Sequence, residues 1–156
     1  MKRTLYTLAL GLGLCMAIVA AVQHAEAVLG ESVESVESDR RVLSAVRGAT
    51  MVRDGYTVHE VSSGATFVRE YVSPSGIVFA IAWNGLTHPD LTMLLGTYAG
   101  EYENALERTP RKRGQRALRV QADRVIVEKW GHMRNLQGRA YATDLIPPGV
   151  SINAIK

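Results

Sequence analysis

The chain of 156 residues contains one cysteine, Cys15, set in the apolar stretch near its start. Beyond that stretch no disulfide, thiolate nucleophile or cysteine metal site can form, so stability must come from an ordinary hydrophobic core. Aromatic side chains are only 6% of the residues. None lies in the basic run Arg108–Arg119, which removes the stacking partners that readers of single-stranded nucleic acid interleave with charge. After Val22 no apolar run approaches the length of a membrane span. Gly-x-Ser-x-Gly, His-x3-His and a glycine-rich phosphate loop are all missing. The local signatures of a hydrolase nucleophile, a zinc pair and a nucleotide cradle are therefore absent. The expectation is no catalytic residue, no metal and no cofactor, with enzymatic activity left open but disfavoured.

What is present first is an export pattern. Lys2 and Arg3 give a positive start, Leu8 to Val22 an apolar stretch, and Ala25-Glu26-Ala27 a small-x-small end. This predicts a signal peptide over residues 1–27 and a cysteine-free mature chain, Val28–Lys156, in the periplasm or secreted. The alternative is an uncleaved anchor, because Leu5–Val22 is nearly long enough to span a membrane. Gly11, Gly13 and the cleavage box weigh against it. Leu14 is too large to precede an acylated cysteine, so Cys15 is one more apolar residue discarded with the signal.

Charge is divided along the chain. Residues Val28–Glu107 hold 5 basic and 11 acidic side chains, whereas Arg108–Arg139 hold 10 basic and 2 acidic. Such a split marks either an anionic partner or two solvated faces that attract each other. The basic density sits in Arg108, Arg111, Lys112, Arg113, Arg116 and Arg119. For an exported protein the fitting partners are an anionic envelope component, such as lipid phosphate or acidic glycan, or another exported protein. Nucleic acid is not expected, and the oligomeric state stays open.

Residues 28–55 are polar. Val36, Arg40, Leu43 and Val46 allow a short amphipathic helix ending at Gly48, or a tail leading into the domain. From Tyr56 the pattern turns to strands. Tyr56–Val61 alternates, Ser62-Ser63-Gly64 is turn chemistry, and Ala65–Val72 is rich in β-branched and aromatic residues. Ser73-Pro74-Ser75-Gly76 fits a type I turn, which makes residues 65–83 a hairpin. The returning strand, Ile77–Trp83, is apolar on both faces and belongs at the centre of a sheet. Its large residues Ile77, Phe79, Ile81 and Trp83 would share one face. The small residues Ala80 and Ala82 on the other would admit a helix or a second layer.

A helix over about 88–107 follows, with Thr87 as N-cap and Leu91, Leu94, Leu95, Tyr98, Tyr102 and Leu106 in one stripe. Gly96 and Gly100 would let it approach a strand. Residues 117–130 read as strand with a turn at Ala122-Asp123, Gly131 as a turn, Leu136–Thr143 as a last strand, and Pro147-Pro148-Gly149 as the exit. The fold class is α+β: an antiparallel sheet of about four to six strands with one main helix packed on it, occupying residues 56–150 and followed by a tail, 151–156.

Histidines 59, 88 and 132 fall on a strand, at a helix start and in a turn. His132 or His88 with Glu70 or Asp90 is the most reasonable acid–base pairing, and a small secreted hydrolase using it is the enzymatic alternative. Glu70 beside Arg69 reads more simply as part of a cross-strand charge ladder. The binding candidates are the basic run and the loop Trp83–His88, where an aromatic meets free backbone N–H groups.

The runs "FVREYVSPSGIVFAIAWNG", "HPDLTMLLGTYAGEY" and "GHMRNLQGRAYATDLIPPGV" resemble the secreted bacterial domain-of-unknown-function family 2844, over Leu29-Gly30 to Val150. Arg69-Glu70-Tyr71-Val72, Phe79 to Trp83, Pro89-Asp90-Leu91, Leu95-Gly96 and Gly138-Arg139-Ala140-Tyr141 carry the likeness. Asn84-Gly85-Leu86 departs from it, where Gly-Pro would be expected. The resemblance implies an exported single-domain bacterial protein and brings no catalytic residues. The leading expectation is a non-enzymatic binding or accessory module of the cell envelope; a self-associating structural protein is the remaining alternative.

Overall fold

A computed structural model describes residues 28–33, 47–63, 65–110 and 114–156. The export pattern, the stretch that allows a short helix up to residue 46, and Arg111, Lys112 and Arg113 lie outside the described residues.

Seven strands form one antiparallel sheet: β1 (Arg47–Arg53), β2 (Tyr56–Ser63), β3 (Thr66–Val72), β4 (Val78–Gly85), β5 (Leu118–Gln121), β6 (Val125–His132) and β7 (Asn135–Ala142). Their order is β1-β2-β3-β4-β7-β6-β5. The expected four to six strands fall short by β1. Its sequence carries no apolar alternation because it is an edge strand, and its Val52 is 80% exposed. The available signal was Asp54-Gly55. A two-residue Asp-Gly loop is a strong hairpin mark; here Arg53 pairs with Tyr56 and Gly55 takes φ +80.

The central strand is β4, fourth of seven, with Val78 to Trp83 all buried. Its alternation is broken once. Val72 pairs with Val78 but Tyr71 with Ala80, so Phe79 is an extra residue. This bulge turns Phe79 onto the side of Ala80 and Ala82, leaving Val78, Ile81 and Trp83 on the other. The expected face of four large residues is therefore divided between two cores.

The helical layer packs on the Ile81 and Trp83 side, not against the alanines. It consists of α1 (Leu91–Leu95), a 3-10 turn (Gly96–Tyr98) and α2 (Ala99–Arg108). The helix begins later than expected: Asp90 is the N-cap, its Oδ1 accepting from Thr92 N at 2.9 Å. Thr87 instead takes the Thr66 hydroxyl on its carbonyl at 3.0 Å. Leu91, Leu94, Leu95, Tyr98 and Tyr102 are buried, as the stripe requires. The two glycines do not approach a strand; Gly96 abuts Val28 and Gly100 faces open space. Residues 28–33 run between this layer and β4, with Leu29 N donating to Leu94 O at 2.9 Å and Gly30 N to Val78 O at 2.8 Å.

The alanine face receives a second layer of another kind, the C-terminal segment. Ile155 is fully buried there in one cluster with Tyr71, Phe79, Ala80, Ala82 and Tyr141. The Ser73–Gly76 turn forms as expected, Gly76 N donating to Ser73 O at 2.9 Å. Gly131 is not the turn: β6 continues to His132, and the reversal is at Met133-Arg134, where Arg134 has φ 66.

Candidate functional site

On the face that carries the C-terminal segment, strand register sets the side chains in rows. The apolar row is Val58, Tyr71, Ala80, Tyr141 and Ile126. Two residues along each strand lies a charged row: Glu60, Arg69, Ala82, Arg139, Glu128 and Arg119. Two residues further comes a row of amides and aromatics, Phe67, Asn84, Gln137 and Trp130.

The charged row is a ladder of ion pairs. Arg69 Nε meets Glu60 Oε1 at 2.9 Å; Arg139 Nε and Arg119 Nη1 hold the two Glu128 oxygens at 2.6 and 3.2 Å. The expected ladder thus exists, but Glu70 is not in it. With a side-chain period of two, Glu70 turns to the helix side of the sheet, buried, in register with His59. Alanine at position 82 leaves a gap between the two central arginines, and the C-terminal segment crosses there. Arg69 Nη1 donates to Lys156 O at 2.9 Å, and Arg139 Nη1 to the carbonyls of Ile152 and Ile155 at 2.9 and 3.1 Å. The Tyr71 hydroxyl completes the clamp, donating to Lys156 O and accepting from Lys156 N, both at 2.9 Å. Burial raises the Tyr71 pKa, and the bond to Lys156 opposes that shift.

Beyond the ladder, among the described residues, the face opens into a cleft. The cleft, of about 960 Å³, lies between Asn153, Ile155 and Lys156 on one side and Gln115 and Ala117 on the other. Asn84, Gln137 and Trp130 belong to its lining. Trp130 Nε1 donates to Gln137 Oε1 at 3.1 Å, and Gln137 Nε2 to Asn135 Oδ1 at 2.9 Å, which fixes both groups. Asn84 Oδ1 is buried with no hydrogen-bond partner among the described residues. Arg69, Arg119, Lys129, Arg139 and Lys156 line the cleft against one carboxylate side chain, Glu128.

Trp83 and His88 form a pair at the same end of the sheet. The indole Nε1 donates to His88 Nδ1 at 3.0 Å, with the rings edge-to-face at 6.1 Å. Trp83 lies over Gly138, where a Cβ would come within 2.2 Å of its Cζ2, so no larger residue fits beneath the indole. An accepting Nδ1 requires a neutral ring with its proton on Nε2. Partial burial, and secondarily the Lys129 charge, lower the His88 pKa from 6.5 in agreement with this. His88, Arg116 and Lys129 border a second hollow of about 370 Å³. Lys129 itself donates to the Tyr102 hydroxyl at 3.0 Å.

The two surfaces suggested separately by the sequence meet here. Trp83 and Arg119 border the larger cleft, His88 and Arg116 the smaller hollow, and Gln115, Ala117, Leu118 and Trp130 border both. Arg108 ends α2 and lines a hollow on the helix side that shares Arg119. Sequence reasoning missed Asn84, Trp130, Gln137 and Arg139 as site residues. The usable signal was their alternation with apolar neighbours inside strands: such positions face away from the helical core.

The acid–base pairings expected for a hydrolase are otherwise engaged. His88 is bound by Trp83, Asp90 caps α1, Glu70 is buried on the helix side, and His132 closes the β6–β7 hairpin opposite Asn135. Among the described residues no three His, Cys, Asp or Glu side chains are placed to share a metal ion, and no helix is long and apolar enough to cross a membrane.

The runs that carry the family resemblance coincide with this architecture. Arg69, Tyr71 and Arg139 clamp the C-terminal segment, and Gly138 seats Trp83. At the point of departure, Leu86 N donates to Ala65 O at 3.0 Å, a bond proline could not make. No curated protein and no solved structure matches the chain. The family described as "Protein of unknown function (DUF2844)" matches it over residues 25–155, and the chain belongs to that family.

Proposed function

We propose that this protein is an exported, non-enzymatic binding module of the bacterial cell envelope, and that it holds an anionic partner in the cleft beyond the charged row. The observation that carries the reading is the cleft itself. It is built on three central strands, bordered by five cationic side chains and one carboxylate side chain, and lies where the Trp83–His88 pair and the Gln115–Arg119 segment meet. Concave sites with a few convergent polar groups on a rigid scaffold are the usual form of a ligand site. Export rests on the Lys2/Arg3, Leu8–Val22 and Ala25–Ala27 pattern. A binding role is favoured over hydrolysis because His88 and Asp90 are committed to Trp83 and to the helix cap.

The test is fractionation of cells producing the full chain, comparing it with a variant carrying Arg116→Ser and Arg119→Ser. The unaltered protein is expected in the envelope fraction, released by salt, and the variant is expected to be released at lower salt. Equal partitioning of the two at low and high salt would overturn the role of the cleft cations. Recovery in the cytoplasm would overturn export.

A second reading, self-assembly through a sheet edge, is supported by β1, an edge strand with Val52 largely exposed. It predicts a dimer or larger species by sedimentation, dispersed by Val52→Lys.

A further inference from the structure

We infer that the partner is an acidic oligosaccharide, stacked on Trp130 and anchored by Arg119; this rests on the binding reading above and specifies its ligand. Three features of the cleft narrow the chemistry. The first is Asn84 Oδ1, a buried acceptor without a partner among the described residues. Asn84 lines the cleft, so a small turn of its amide would offer this acceptor to a ligand hydroxyl or amide, which a bare carboxylate or phosphate does not have. The second is Trp130. Its N–H is already given to Gln137 and the Arg139 guanidinium lies over the ring at 5.9 Å, so what the half-buried indole offers a ligand is its remaining ring surface, the complement of the C–H face of a sugar. The third is the quality of the charges. Arg69 and Arg139 are both held by a carboxylate and by carbonyls of the C-terminal segment. Arg119 has one ion-pair contact, at 3.2 Å, and its side chain is 58% exposed, so with the exposed Lys156 it is a cation able to turn toward a ligand carboxylate.

Two reorientable cations, Arg119 and Lys156, beside an amide row suit a chain of hydroxyl-rich rings with an occasional acid group. A dense polyanion would need more. An extended peptide could supply donors, but its strand-addition mode needs an unpaired sheet edge. This cleft lies over β4, β7 and β6, each already paired on both sides. A lipid surface would call for a protruding basic patch, and the site is concave. The volume of about 960 Å³ is at the top of the usual range for small-molecule sites, which admits several linked rings.

The test uses the purified mature chain, uronate oligomers (galacturonate and mannuronate), their carboxyl-reduced neutral counterparts, and phosphatidylglycerol vesicles, with binding read by calorimetry. The uronate oligomers are expected to bind, and the reduced oligomers to bind several-fold more weakly. Trp130→Ala should weaken uronate binding by about tenfold or more, as loss of an aromatic anchor does. Arg119→Ser should abolish the preference for the acidic oligomers while keeping residual binding to the neutral ones. Trp130→Phe, which keeps a ring face, should retain part of the affinity, and circular dichroism reports whether each variant is folded. Vesicle binding without oligosaccharide binding would overturn the ligand class and leave the binding module standing. Uronate binding indifferent to Trp130→Ala and Arg119→Ser would overturn the site. Failure to bind any probe, together with loss of envelope association in the fractionation above, would remove both readings.

Discussion

The two halves of the sheet face opposite the helices are built from the same strands and differ in almost everything else. On one side of the charged row lie Tyr71, Ala80 and Tyr141, buried under Ile155. On the other lie Asn84, Gln137 and Trp130, two to four residues away along each strand and lining the cleft. Strand alternation puts both sets on one face, so burial is decided not by orientation but by how far the C-terminal segment reaches. At the ladder Arg69 and Arg139 hold the carbonyls of the segment. The covered half is a core made by a late-arriving strap; the other half is what that strap leaves free.

The largest effect should come from the covered half. Ile155→Ala removes a fully buried side chain whose neighbours Ala80 and Ala82 are too small to close the gap. A loss of about 3 kcal/mol is expected, read as a lower urea midpoint at unchanged slope. A loss below about 1 kcal/mol would mean that the strap is decoration and that the two halves do not differ in kind.

Arg139→Gln attacks the boundary. It leaves Glu128, whose side chain is 15% exposed, with Arg119 alone, and frees two carbonyls of the segment. Because one cation remains, the cost should be about 2 kcal/mol, below the 3–5 typical of a buried ion left unpaired. Hydrogen exchange at the Ile155 and Lys156 amides should quicken along with it, since the strap then opens locally. Slower or unchanged exchange would show that the segment is held by Ile155 packing and not by the arginines.

Much of this architecture could be read from the residues, and the parts that could not share a cause. The 65–83 hairpin, the central position of β4 and the amphipathic stripe of the helix are local patterns, and local patterns were enough. The bulge at Phe79 was not legible, because one inserted residue shifts every following side chain without changing composition. The sequence leaves the alanine face open to a helix or a second layer, and it takes the second layer: residues 152–156, about seventy positions downstream. Trp83 and His88 belong to a loop the sequence singles out, and the fold joins them by a hydrogen bond that the residues alone do not specify. The cleft needed β4, β6, β7 and the C-terminal segment together, and no single stretch of sequence encodes it.

A smaller effect, of opposite sign, should come from the open half. Asn84→Val removes a buried acceptor without a described partner and adds a β-branched residue to a central strand. Stability should be unchanged or higher by up to about 1 kcal/mol, as at sites kept for binding and not for folding. A loss above about 1 kcal/mol would place Asn84 in the core and erase the contrast between the halves.

The finest test separates the two indoles at this end of the sheet. Trp83 gives its N–H to an imidazole and Trp130 gives its own to an amide, which does not titrate. In the folded protein the His88 pKa lies below 6.5, chiefly through burial and then through Lys129. The unfolded chain therefore takes up the proton first as pH falls. The neutral ring's contribution to stability is complete above the ordinary histidine pKa and is lost as pH drops through the folded value. Protonation places a hydrogen on Nδ1, the atom that accepts from Trp83, so the bond must break in that window. The Trp83 indole N–H resonance should shift with a midpoint below 6.5 while that of Trp130 stays fixed, and Lys129→Met should move the midpoint upward. A Trp83 midpoint at or above 6.5, or a Trp130 resonance that titrates in step with it, would show that the two sides of this end are one electrostatic unit and that the pairing of Trp83 with His88 does not set it.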